Sequence, residues 1–87
     1  MKKEVGAMAG MTEREKEWAT KASRFLKAEL KRAGVTYAQL AEKLNAHGME
    51  ETEGSVGAKL ARGTFAVTFF LAVLAVLELP GVDLSDL

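Results

Sequence analysis

Between Gly63 and Leu77 the chain carries no charged residue, and nearly every position of the stretch TFAVTFFLAVLAVLEL, residues 64 to 79, is apolar. At about 1.5 Å per residue this stretch is too short to cross a hydrocarbon core of roughly 30 Å. Glu78 and Pro80 close it. It therefore predicts a helix of about three to four turns buried at the centre of a small domain. Val67, Phe70, Leu71, Leu74 and Leu77 share one helical face, the one expected to pack on the rest of the chain. Phe69, Ala72, Val73 and Val76 form a second apolar face, nearly opposite. Left bare, that face would be a patch of a kind monomers seldom expose. It predicts a homodimer through Phe65, Phe69, Ala72, Val73 and Val76, with the N-terminal tail folding over the face as the competing explanation.

The remaining composition narrows the function classes. Eighty-seven residues allow one domain with a small core. There is no cysteine, so disulfides, thiolate metal sites and thiol redox chemistry are unavailable, and the single histidine, His47, cannot make a metal site alone. No Ser/His/Asp set, paired-carboxylate cleft, phosphate-binding glycine loop or metal-ligand spacing occurs, so no enzymatic activity and no cofactor are expected. The segment after Lys2-Lys3 lacks the sustained apolar core of a signal peptide, and the expected location is cytoplasmic. The apolar helix has no basic polar face, which argues against a membrane-surface role.

Formal charge is zero but unevenly spread. Residues 1 to 34 hold nine Lys or Arg against five Glu, and residues 35 to 87 hold three basic against seven acidic groups. An anionic partner would be met mainly by the N-terminal third.

In chain order, residues 1 to 11 lack periodicity and read as a disordered tail, with a helical domain over 12 to 87. Thr12 with Glu15 predicts a capping box opening a helix that stops at Gly34. One face of this helix is apolar (Trp18, Ala22, Phe25, Leu26, Leu30 and Ala33) and the other basic (Arg14, Lys21, Arg24, Lys27, Lys31 and Arg32). A solvated surface is the plainer account of the basic face, and a phosphate-facing surface is the other. Thr36 with Gln39 predicts a second capping box, and Val35 with Leu40 a hydrophobic staple. Residues 45 to 52 read as a loop. Thr52 can cap a third helix, which Gly54 and Gly57 weaken by about 1 kcal/mol each relative to alanine unless they permit a close backbone approach. Asp83 can cap a terminal half-turn whose Leu84 and Leu87 are expected to fold back on the core. The expected core joins Trp18, Phe25, Leu40, Leu44, Val56, Leu60, Phe70, Leu71 and Leu74.

Several segments together resemble the helix-turn-helix domain of the Cro/repressor class. GVTYAQLAEKL, residues 34 to 44, is similar to the motif's first helix, and SVGAKLARG, residues 55 to 63, to the end of its recognition helix. FLAVLAVLELPGVDLSDL, residues 70 to 87, is similar to the closing segment of that class. A narrower resemblance is to a small bacterial helix-turn-helix family of unknown function with a Trp-bearing first helix and a stretched turn; membership would imply fold but little about function. The resemblance implies an all-α, lambda-repressor-like bundle of four to five helices. It also implies a small DNA-associated transcriptional regulator. Thr52, Ser55 and Lys59 would then lie nearest the bases, with Lys21, Arg24, Lys27, Lys43 and Arg62 at phosphates. Two departures qualify this: the turn from Asn45 to Glu51 is lengthened, and Glu50, Glu51 and Glu53 would repel phosphates. The alternative is the same scaffold used as a protein-interaction or assembly module without DNA binding.

Overall fold

Three threonines set where helices begin. In the computed structural model, which describes residues 12–87, α1 spans Glu13–Ala33, α2 Tyr37–Ala46, α3 Glu53–Arg62 and α4 Val67–Val76, followed by a 3-10 turn at Leu84–Asp86. The described residues contain no strand. The tail expected over residues 1 to 11 lies outside the described residues. Thr12 Oγ1 accepts from Glu15 N–H at 3.1 Å while Glu15 Oε1 accepts from Thr12 N–H at 2.9 Å. Thr36 and Gln39 repeat the exchange at 3.1 and 2.9 Å. Thr52 and Ser55 do so at 3.0 and 2.8 Å. Each box satisfies two amides at a helix end that lack an intrahelical acceptor. Helix α4 has no such cap: Ala66 precedes it without a side-chain bond.

The helix ends follow equally local chemistry. Val35 N–H returns to Leu30 O at 2.9 Å, Met49 N–H to Leu44 O at 3.0 Å and Leu79 N–H to Leu74 O at 2.9 Å, closing α1, α2 and α4 as Schellman motifs. The left-handed residue is glycine in the first two and Glu78, at φ 58°, in the third. Gly63 ends α3 at φ 76°, and a Cβ there would lie 2.6 Å from the Ala19 carbonyl oxygen. So Gly63, not Gly54 or Gly57, is the position of close backbone approach. A Cβ at 57 would make only an ordinary 3.6 Å contact with Tyr37.

The core draws on all four helices: Leu26 and Leu30, Leu40, Ala41 and Leu44, Val56 and Leu60, then Phe69, Val73 and Leu74. Helix α3 lies against both α1 and α2, and α2 also packs on α4. Ser23 Oγ on α1 donates to the Leu60 carbonyl in the last turn of α3, a buried bond that ties the two helices together. Helices α3 and α4 meet at a bend of 118°, and no single helix among the described residues is long and apolar enough to cross a membrane.

The structure corrects the orientation of α4. Phe69 is 1 % exposed and Val73 fully buried, while Leu71 is 57 % and Val67 67 % exposed. Phe70 is half-buried. A helix apolar on every side has no polar face to tell it which side is out. Here the ring of Phe69 lies 4.9 Å beneath the Lys59 ammonium and packs on Phe65 with centroids 5.2 Å apart. Those partners exist only for the inward orientation. Trp18 also leaves the expected core, 54 % exposed with Lys21 Nζ held 4.8 Å over its ring, and Leu84, expected to fold back on the core, is 67 % exposed. Phe25 is half-buried against Phe70.

Candidate nucleic-acid interface

Two surfaces carry the chemistry, and the first is the N-terminal end of α3. Asn45 Oδ1 accepts from the Glu51 N–H at 3.0 Å, which pins the lengthened turn and directs Glu51 inward. The Glu51 carboxylate, 7 % exposed as a residue, accepts from Ser55 Oγ at 2.6 Å and pairs with Lys59 Nζ. Burial pushes its pKa up, but the hydrogen bonds from Lys59 and Ser55 and the Lys59 charge outweigh that, and the net shift is downward. Thr52 Oγ1 accepts from Ser55 N–H, Ser55 Oγ is shared between Thr52 N–H and Glu51, and Lys59 sits between Glu51 and the Phe69 ring.

All three residues expected nearest the bases, Thr52, Ser55 and Lys59, are therefore engaged within the chain. Glu51, expected among the carboxylates that repel phosphates, is neutralised internally; Glu50 and Glu53 remain exposed. Composition alone places Glu51 with its acidic neighbours Glu50 and Glu53 and does not reveal the network. Its signal is the spacing Glu51, Ser55, Lys59, four residues apart each time, which puts Ser55 and Lys59 on one side of α3 with Glu51 just before the cap.

The second surface is basic. Arg24, Lys27 and Arg62 line a shallow cleft of about 340 Å³ with Thr20, Ser23, Ala61 and Gly63. The Ser23–Leu60 bond and the approach of Gly63 to Ala19 create it by drawing the last turn of α3 onto α1. A neighbouring cleft of about 530 Å³ shares Arg24 and Lys27, adds Lys31, and reaches Thr36 and Tyr37 at the start of α2. Ion pairs among the described residues join Lys16 to Glu13, Arg32 to Glu29 and Lys59 to Glu51. Arg24, Lys27, Lys31 and Arg62 have no carboxylate partner among those residues. Arg62 instead donates to Thr64, through Nε to Oγ1 at 3.4 Å and Nη2 to the carbonyl at 3.3 Å. Part of this charge complements the carbonyl end of α3, a role that needs no ligand.

Of the expected phosphate contacts, Arg24, Lys27 and Arg62 come together. Lys21 borders an adjoining groove with Arg24, and Lys43 stands apart on α2, outside these clefts. Lys31, placed on the basic face but not among the candidate contacts, joins through the second cleft.

The expected dimer residues form no exposed patch. Phe69 and Val73 lie in the chain's own core, and Phe65, Ala72 and Val76 are half-buried against it. Among the described residues, no group of three or more His, Cys, Asp or Glu could hold a metal ion.

Residues 18–82 match a family described as a domain of unknown function, DUF6471. The chain belongs to this family. The match begins at Trp18, inside α1, and ends before the terminal 3-10 turn, so it takes in both basic clefts and the whole Glu51 network. Neither the curated proteins nor the solved structures gave a match.

Proposed function

We propose that this domain is a Cro/repressor-type helix-turn-helix module that associates with duplex DNA chiefly through its phosphates. The observation that carries this reading is the cleft at which Arg24, Lys27 and Arg62 converge without a carboxylate partner among the described residues. Lys31 and the start of α2 extend the surface. A cluster of this kind gains affinity by displacing condensed counterions, which is independent of sequence. With Thr52, Ser55 and Lys59 engaged by Glu51, few side chains are left to read base edges, so sequence discrimination is weak.

Fluorescence anisotropy with two unrelated labelled duplexes at about 50 mM salt tests this. The reading expects both duplexes to bind comparably, and the combined Arg24→Gln, Lys27→Gln and Arg62→Gln variant to weaken both alike. Absence of binding by the folded wild type would refute it.

A second reading, a protein-interaction module on the same scaffold, is favoured by the exposed Glu50 and Glu53 at the end of α3 where a base-reading helix would meet the phosphates.

A further inference from the structure

Arg24 borders more than the phosphate cleft. A separate cleft of about 280 Å³ is lined by Lys21, Arg24, Phe25 and Ala28 of α1, by Asp86 of the terminal turn and by Leu87 after it. Asp83 shapes that turn: its carboxylate accepts from Ser85 N–H at 3.0 Å and from Ser85 Oγ at 2.8 Å, and its carbonyl accepts from Asp86 N–H at 2.8 Å. Leu87 is half-buried, while Leu84, Ser85 and Asp86 are exposed. Arg24 and Asp86 therefore line one cleft, and neither belongs to an ion pair among the described residues.

We infer that the terminal turn is an electrostatic brake on phosphate binding, in which Asp86 competes with a DNA phosphate for Arg24. The inference rests on the DNA reading above and adds a regulation of that same site. One guanidinium serves both clefts, so a phosphate drawn to Arg24 from the side of Lys27 and Arg62 also approaches the Asp86 carboxylate, its like charge. The other carboxylates near Arg24 differ in kind. Glu13 and Glu17 border a groove with it, but both are carried on α1 itself, and Glu13 is paired with Lys16. Glu51 is buried and neutralised by Lys59. Asp86 alone of these arrives on a separate segment, and that segment packs extensively on no helix. A segment with so few contacts opens at little cost, which lets the brake yield to a stronger anion.

Fluorescence anisotropy of the full chain with a labelled random duplex tests the brake through a double-mutant cycle of Asp86→Asn and Arg24→Gln. Asp86 is exposed, so Asp86→Asn should keep the wild-type far-UV circular dichroism. At about 50 mM salt it should bind about two- to five-fold more tightly than the wild type, the size of one exposed charge interaction. The gain should shrink at about 300 mM salt, where exposed charges are screened, and should vanish in the Arg24→Gln background. A wild type that binds, with Asp86→Asn no tighter, overturns the inference and leaves the DNA reading standing. A gain that persists undiminished in Arg24→Gln also overturns it, because the carboxylate would then act only through net charge. If neither the wild type nor Asp86→Asn binds, the DNA reading fails and the inference falls with it.

Discussion

Replacing Phe69 and Leu71 separately by alanine tests which way α4 faces. Phe69 is 1 % exposed, packs on Phe65 at 5.2 Å and carries the Lys59 ammonium 4.9 Å above its ring. Truncation removes a fully buried ring and leaves a cavity, a loss of about 3–5 kcal/mol. The aromatic pair and the cation contact add about 1 kcal/mol more. That approaches the whole stability of a small domain, so Phe69→Ala is expected to be largely unfolded. Phe69→Leu, which keeps most of the volume, should cost about 1–1.5 kcal/mol and remain measurable. Leu71 is 57 % exposed, and Leu71→Ala should cost less than about 1 kcal/mol. Urea melts followed by far-UV circular dichroism, at a concentration below any self-association, give all three values. A costly Leu71→Ala beside a nearly neutral Phe69→Ala would reverse the orientation of α4 and, with it, the packing of Lys59.

Two other perturbations probe single devices. The Glu51 pKa is lowered on folding from its ordinary 4.5, so its network contributes stability above that value and loses it as pH falls through the folded pKa. Glu51→Gln should be less stable at neutral pH and show a flatter acid limb in pH-dependent melts; identical limbs would mean the carboxylate is not held by Lys59 and Ser55. Glu78 holds a left-handed φ of 58° at the carbonyl end of α4, where both its Cβ and its charge are unfavourable. Glu78→Gly should stabilise by about 1 kcal/mol in urea melts, and a loss instead would show that the Glu78 side chain makes a favourable contact.

What could be read from the sequence was the chemistry that is local along the chain. Thr12, Thr36 and Thr52 find their partners three residues on, and Asp83 caps the terminal turn by accepting from Ser85 N–H at 3.0 Å. Leu40, Leu44, Val56 and Leu60 sit on amphipathic helices whose polar sides leave one way to turn. Helix α4 lacks that guide, and its inward side was decided by Phe65 and Lys59, neither of them within α4 itself. Trp18 shares the periodicity of the core face of α1, yet it is 54 % exposed, with the Lys21 ammonium over its ring. The basic cleft was half legible. Arg24 and Lys27 share a helix face, but the arrival of Arg62 depends on the close pass of Gly63 over Ala19. The inward turn of Glu51 needed Asn45, six residues earlier, to hold its amide.

The central claim is that Arg24, Lys27 and Arg62 meet phosphates. The most direct measurement is the slope of log K against log salt for random duplex DNA, taken for the wild type and for the triple glutamine variant. Each phosphate contact contributes about 0.9 to that slope, so the variant's should be shallower by nearly 3, with far-UV circular dichroism unchanged. An unaltered slope in a folded variant would contradict the claim and leave the cleft as a solvated surface that offsets the carbonyl end of α3.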